Sequence, residues 1–188
     1  MATEEPKYTV LEKEPPFEIR AYAPMIVAEV QVEGDLDGAS SQGFRLIAAY
    51  IFGQNQVSEK IAMTAPVTVV DQSVKNAKIA MTAPVGIESN AGKWVVSFVM
   101  PAEYTMETIP KPLNSQVQLR QISAVKKAVI GFSGFYNDQK VAEKTLELEQ
   151  WIKSRNLQST GTPNFARYNP PWTLPFMRRN EVMLNLSD

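Results

Sequence analysis

The chain of 188 residues contains no histidine and no cysteine. Those two absences exclude a Ser-His-Asp or Cys-His arrangement, a histidine general base, a thiolate nucleophile, a His or Cys zinc site and a disulfide framework. Excess charge of either sign is missing as well: 19 basic residues face 20 acidic ones, a net charge of −1. That balance offers no field for non-specific nucleic-acid binding or for an anionic membrane surface. No stretch approaches the ~20 apolar residues a membrane-spanning helix needs. The opening MATEEPKY lacks the basic and apolar regions of a secretory leader, and the expectation is a cytoplasmic chain. Neither G-x-x-x-x-G-K-[ST] nor G-x-G-x-x-G occurs. Binding is therefore favoured over catalysis, with carboxylates, tyrosines and lysines left as acid–base groups.

What is present suits one domain, residues 1–188, with 44% apolar and 21% charged residues and enough length to bury a core unaided. Tyr8–Glu12 alternates, Pro15 and Pro16 break the run, and Phe17–Tyr22 alternates again. Met25–Val32 reads as a strand buried on much of both faces. A helix follows, capped by Asp37 or Ser40, with Phe44, Leu46, Ile47, Tyr50 and Ile51 at helical spacing and Gly53 at its close. Lys93–Met100 is the clearest strand. Val117–Ile122 and Lys127–Phe132 repeat the opening theme, and a second helix runs from about Asn137 to Arg155. The tail holds Phe165–Tyr168, an aromatic–proline turn and a final strand, Glu181–Leu186, with Asn180 as a turn before it. The order strand–strand–helix–strands thus occurs twice, over residues ~8–101 and ~117–186. Sequential strands with only two helices predict an α+β fold: a distorted antiparallel sheet or barrel built from two pseudo-two-fold halves.

Lys60–Val67, KIAMTAPV, recurs letter for letter as Lys78–Val85. Two copies are too few for a solenoid. The expectation is a hairpin in which each copy forms a β segment ending at its proline, with the polar 71–76 stretch as its turn, the alternative being that one copy loops out.

The phrases EKIAMTAPV, WVVSFVMP and ARYNPPWTLPFMRRNEVML, with FEIRAYAPMIVAEV near the start, resemble the SOUL haem-binding protein family over nearly the whole chain. The resemblance implies a partly open antiparallel barrel with two helices and a duplicated half. It also implies binding of haem or a related tetrapyrrole, as carrier, buffer or sensor, without a settled catalytic activity. The fold is similar to effector-binding domains of bacterial multidrug-responsive regulators, which hold apolar or cationic small molecules between their halves. Some family members place a proposed iron ligand, a histidine, between the arginine and tyrosine of the "EIR-x-Y" strand; here that residue is Ala21. Others without the histidine hold haem in an apolar groove beside the first helix, and this chain can only be of that kind.

Haem iron takes His, Cys, Met or Tyr, which leaves Tyr22, Tyr50, Met63 and Met81 as possible ligands. A thioether is soft for ferric iron, and a tyrosinate needs help, such as Arg20 or Arg45, to lower a pKa near 10. The bland reading of the methionines is core filling, and of the tyrosines a pocket wall with a satisfied hydroxyl. Arg45, Leu46, Ala49 and Tyr50 on the first helix, with Lys60 and Met63 after it, are the candidate groove, its cations meeting propionates. Trp172 is a candidate rim residue or a cover on a sheet edge. Arg178 and Arg179 with Glu181 either clamp an anion or form a structural ion-pair network. A binding domain for other flat apolar molecules, or a hydrolase-like enzyme using Glu or Tyr on the same fold, are the alternatives.

Overall fold

The computed structural model describes residues 4–57, 76–90, 92–169 and 172–187. Period-two alternation around Pro15 and Pro16 yields a hairpin of β1 (Tyr8–Glu14) and β2 (Phe17–Tyr22). It is followed by β3 (Met25–Val32), α1 (Leu36–Ile51), β4 (Asn55–Gln56), β5 (Val85–Asn90) and β6 (Lys93–Val99). Then come β7 (Lys111–Pro112), β8 (Gln118–Ile122), β9 (Val125–Phe132), α2 (Asp138–Ser154), β10 (Ser159–Arg167) and β11 (Asn180–Leu186).

Nine strands form one antiparallel sheet in the order β1-β2-β9-β11-β10-β5-β6-β3-β8. The outermost strands, β1 and β8, do not pair, so the sheet stays open where a barrel would close. From β2 to β8 the order is symmetric about the β10–β5 contact. Each half lends one strand to the other: β2 pairs with β9 of the second half, and β8 pairs with β3 of the first.

Both helices lie on one face, α1 over β3 and β6, α2 over β9, β10 and β11. Under α1 are packed Ala28, Val30, Ile47, Tyr50, Ile51, Val96 and Phe98. Under α2, Ile19, Ile130, Leu148, Trp151, Phe165 and Val182 form the other cluster. At Gly43 the backbone of α1 meets the sheet so closely that a methyl group would stand 2.5 Å from Val96 Cβ. The opposite, helix-free face carries Tyr22, Val129, Ala166 and Met183.

Several expectations need correction. The N-cap of α1 is Asp35, whose carboxylate accepts from Gly38 N at 2.7 Å, not Asp37 or Ser40; a cap precedes the first turn, and Leu36 already belongs to it. The second repeat copy is not a strand ending at its proline. Lys78–Pro84 is irregular apart from a bridge of Thr82 to Glu4, and β5 begins at Val85, after the proline. The first copy lies outside the described residues. Asn180 opens β11 and donates its side chain to Gly134 O instead of making a turn. β10 starts at Ser159, in a Ser/Thr/Gly/Pro stretch with no apolar alternation, because Ser159 and Thr160 pair with Leu186 and Asn185 of β11 across a register shift before β5 joins at Asn164.

Candidate functional site

The sequence-derived site residues fall on two sides of the sheet. Even-numbered residues of β2 face away from the helices, so Arg20 and Tyr22 sit on the helix-free face with Glu181 of β11. Arg20 donates both terminal nitrogens to the Glu181 carboxylate, at 2.8 and 2.9 Å, and Nε to Glu18 at 2.7 Å. Tyr168 Oη donates to Glu181 at 2.6 Å and Arg179 Nε at 3.0 Å. Four donors therefore saturate a carboxylate that is almost wholly buried. Burial raises the Glu181 pKa, but Arg20, Tyr168 and Arg179 together hold it below the usual carboxylate range. This is a structural network, and it leaves Glu181 no lone pair for an incoming substrate.

Tyr22 accepts from Arg20 at 3.2 Å and donates to Met183 Sδ at 3.7 Å. Burial pushes its pKa up to about 12. Tyr50 is fully buried in the α1 core and donates to Pro110 O at 2.7 Å, and burial raises its pKa too. Both hydroxyls are engaged, and the shift in each opposes the tyrosinate that iron ligation requires. Beside Tyr22, in a recess of 60 Å³ on the helix-free face, burial lowers the pKa of Lys127.

The helix-side residues form a different arrangement. Arg45 and Ala49 are four apart on α1, and Phe52, seven from Arg45, continues the same line. Arg45 is exposed, Ala49 and Leu46 are half-buried, and Leu46 leans on the core. Phe44, 40% exposed, packs its ring 5.6 Å from that of Phe98, and Phe52 is 56% exposed. Along the C-terminal part of this helix runs the second repeat copy. Ile79 N donates to Ile51 O at 2.9 Å, and Lys78 stands 5.7 Å from the Phe52 ring. Met81, 39% exposed, follows. Asn55, wholly buried, ties the two together by donating to Tyr50 O and Ala77 O and accepting from Ala77 N. Neither Arg45 nor Lys78 is ion-paired to a described residue. Lys60 and Met63, from the first copy, lie outside the described residues.

Trp172 and Arg178 sit elsewhere again, on the loop between β10 and β11. Trp172 is 83% exposed, and Arg178 donates to Thr173 O at 2.8 Å with its guanidinium over Phe135. That loop is bonded to the β9–α2 connection through Gly134 N and Pro175 O. The sequence reading missed Phe52, Lys78 and Asn55. Only Lys78, as the repeat counterpart of Lys60, carried a signal.

Both the sequence and the open-sheet fold have relatives. The profile of the SOUL heme-binding protein family matches residues 3–185. The chain belongs to that family. Heme-binding protein 2 of Homo sapiens is 30% identical over 175 residues, covering 89% of this chain and 77% of that protein. The Mus musculus protein of the same name is 29% identical over 170 residues, with the same coverage. Among solved structures, the EcmrR C-terminal domain superposes with a TM-score of 0.63 at 10% identity, over 96% of this chain and 98% of its own. A hydrolase from Listeria innocua gives 0.59 at 14% identity, over 91% of each chain. At such identities the two structures share the fold alone, and the fold is the α+β open sheet described above. Membership of a haem-binding family supports haem as the ligand. Among the described residues, no group of His, Cys, Asp or Glu is placed to hold a metal ion, and no helix is long and apolar enough to cross a membrane.

Proposed function

We propose that this chain binds haem or a related tetrapyrrole on the outer flank of α1, non-catalytically, as a carrier, buffer or sensor. One observation carries the placement: Phe44 and Phe52 stay exposed along α1, Arg45 is exposed between them and Lys78 stands over the Phe52 ring, two cations without a described carboxylate partner. A tetrapyrrole has the matching parts, a flat apolar body and two propionates. Magnitudes divide the labour. Removing roughly 200 Å² of apolar surface from water contributes about 5 kcal/mol, whereas an exposed cation–propionate pair contributes at most about 1 kcal/mol. Apolar contact supplies affinity, and the cations supply orientation. Iron ligation is then weak, since the chain has neither histidine nor cysteine and the hydroxyls of Tyr22 and Tyr50 are buried and engaged.

Titration of the pure protein with hemin is expected to give a saturable Soret shift. Tyr22→Phe and Tyr50→Phe are expected to leave that spectrum unchanged, because both hydroxyls are already bonded and buried. Phe52→Asp combined with Arg45→Glu is expected to weaken binding by about tenfold or more. Absence of a saturable shift would sink the haem reading. A shift indifferent to the flank changes would sink the placement.

A further inference from the structure

Lys127 of β9 serves neither the cores nor the α1 flank. It lies on the helix-free face, across the ladders from Arg20 of β2 and Asn185 of β11. Its Nζ stands 5.7 Å from the centre of the Tyr22 ring, and no described acceptor is bonded to it. Every fully buried side-chain nitrogen among the described residues has a hydrogen-bond partner, so the unbonded Nζ borders open space. That space is the recess of about 60 Å³ on this face, where residues of β3, β5, β6 and β8 meet those of β2, β9 and β11.

A missing side chain keeps the recess open. Gly86 sits inside β5, paired with Ala166 and Ser97, and a methyl group there would stand 2.8 Å from Ser97 Oγ and 3.0 Å from Asn164 Nδ2. Glycine inside a strand weakens it and often marks the close approach of a ligand. The charges facing the amine come from several strands. Arg20 on β2 is bonded to Glu18 and Glu181, and Arg120 on β8 to Glu29 of β3. Glu88 on β5 accepts from the neutral amide of Asn164 at 2.8 Å and has no bonded cation among the described residues. Nearest on the remaining strands are Tyr22, Ser97 and Met183, all uncharged. Burial, aided by Arg120, outweighs the pull of Glu88 and lowers the Lys127 pKa. A desolvated amine of this kind is a nucleophile closer to neutral pH than an exposed lysine.

We propose that Lys127 is a covalent capture site for small aldehydes, held as an imine inside this recess. The amine lone pair forms the C–N bond to the carbonyl carbon. The carbonyl oxygen then leaves as water with the two amine hydrogens, and no oxidant or reductant is consumed. The imine takes a proton from solvent, and the resulting iminium faces Glu88. A carbamate formed with carbon dioxide would instead set a second negative charge beside that carboxylate. The recess has room for roughly four to six waters, which suits an aldehyde of about three or four heavy atoms and excludes a fused aromatic one. The proposal does not rest on the haem reading, since α1 and the recess lie on opposite faces of the sheet.

The test exposes the full chain to propionaldehyde with cyanoborohydride at pH 7, and peptide mass spectrometry follows reductive alkylation at each lysine. Lys127 is expected to react ahead of the exposed Lys93, at a rate that saturates with aldehyde, whereas Lys93 reacts in proportion to it. The lead is expected to shrink as pH rises toward the ordinary lysine pKa of about 10.4, where exposed amines become neutral as well. With 2-naphthaldehyde, Lys93 is expected to be labelled and Lys127 spared. Gly86→Ala, which fills the floor of the recess, is expected to abolish the lead of Lys127 and leave Lys93 unchanged. A urea unfolding curve shows whether that variant folds, and the comparison of the two aldehydes needs no variant. The proposal is overturned if Lys127 reacts no faster than Lys93, if its rate stays linear in aldehyde, or if naphthaldehyde labels it as readily as propionaldehyde. A folded Gly86→Ala chain that keeps the lead overturns it too.

Discussion

Glu181 shows how far a single residue's surroundings decide its use. A carboxylate on a haem-family chain invites a catalytic or anion-handling role, yet four bonded donors and nearly complete burial remove both. Replacing it by Gln leaves the buried Arg20 guanidinium with Glu18, on the rim of the network, as its remaining counter-charge, and the expected cost is about 2–4 kcal/mol in urea unfolding at pH 7. The pH dependence has a definite sign. The folded pKa lies below the unfolded value near 4.5, so the stabilisation is present above that pH and is lost as pH falls through the lower folded value. Glu181→Gln is therefore expected to flatten the decline in stability below pH 4.5. A variant as acid-sensitive as the parent chain would assign that decline to other carboxylates. Glu18, also held low despite some burial by Arg20 and Lys13, is the first of those.

At the scale of elements, α1 is placed by one missing side chain. In an isolated helix, Gly→Ala stabilises by about 1 kcal/mol. At Gly43 the added methyl would meet three atoms of Val96 within 2.9 Å, and overpacking of that kind costs typically 1–3 kcal/mol. The steric term wins, and Gly43→Ala is expected to lower Tm by several degrees. A companion Val96→Gly, which removes the Cβ at 2.5 Å as well as both γ carbons, is expected to cost less in the Gly43→Ala background than in the parent chain, which a simple helix-propensity effect would not show. Because α1 carries Phe44, Arg45, Ala49 and Phe52 outward, a shift of this helix is also expected to weaken hemin binding. Asn55 sets the other boundary of the same surface. Its three hydrogen bonds hold the second repeat copy against the C-terminal end of α1, and so position Lys78 and Met81.

For the molecule as a whole, strand exchange between the halves makes the sheet one cooperative body. Neither half contains all the pairing partners of its own strands, since β2 is completed by β9 and β8 completes β3. Trp94, on β6 of the α1 half, packs against both core clusters, and Trp151 lies under α2. Urea unfolding followed separately at each, in variants with the other two tryptophans changed to Phe, is expected to give coincident midpoints. Separated midpoints would show the halves unfolding independently. The repeated strand–strand–helix–strands order, and with it the α+β class, was legible in the sequence because alternation and helical spacing are local properties. Ala21 likewise excluded histidine ligation in that strand before any fold was known. Which candidate residues share a surface was not legible. Local pattern puts Arg20 and Tyr22 on a strand and Arg45 and Ala49 on a helix, but not on opposite sides of the sheet that lies between them. Phe52 and Lys78 are 26 positions apart and meet where Asn55 and the Ile79 N to Ile51 O bond hold the returning chain against α1. Composition and periodicity determined the elements and the chemistry this chain must do without. Only long-range strand pairing decided which side chains were consumed by the core, and which remained exposed for a ligand.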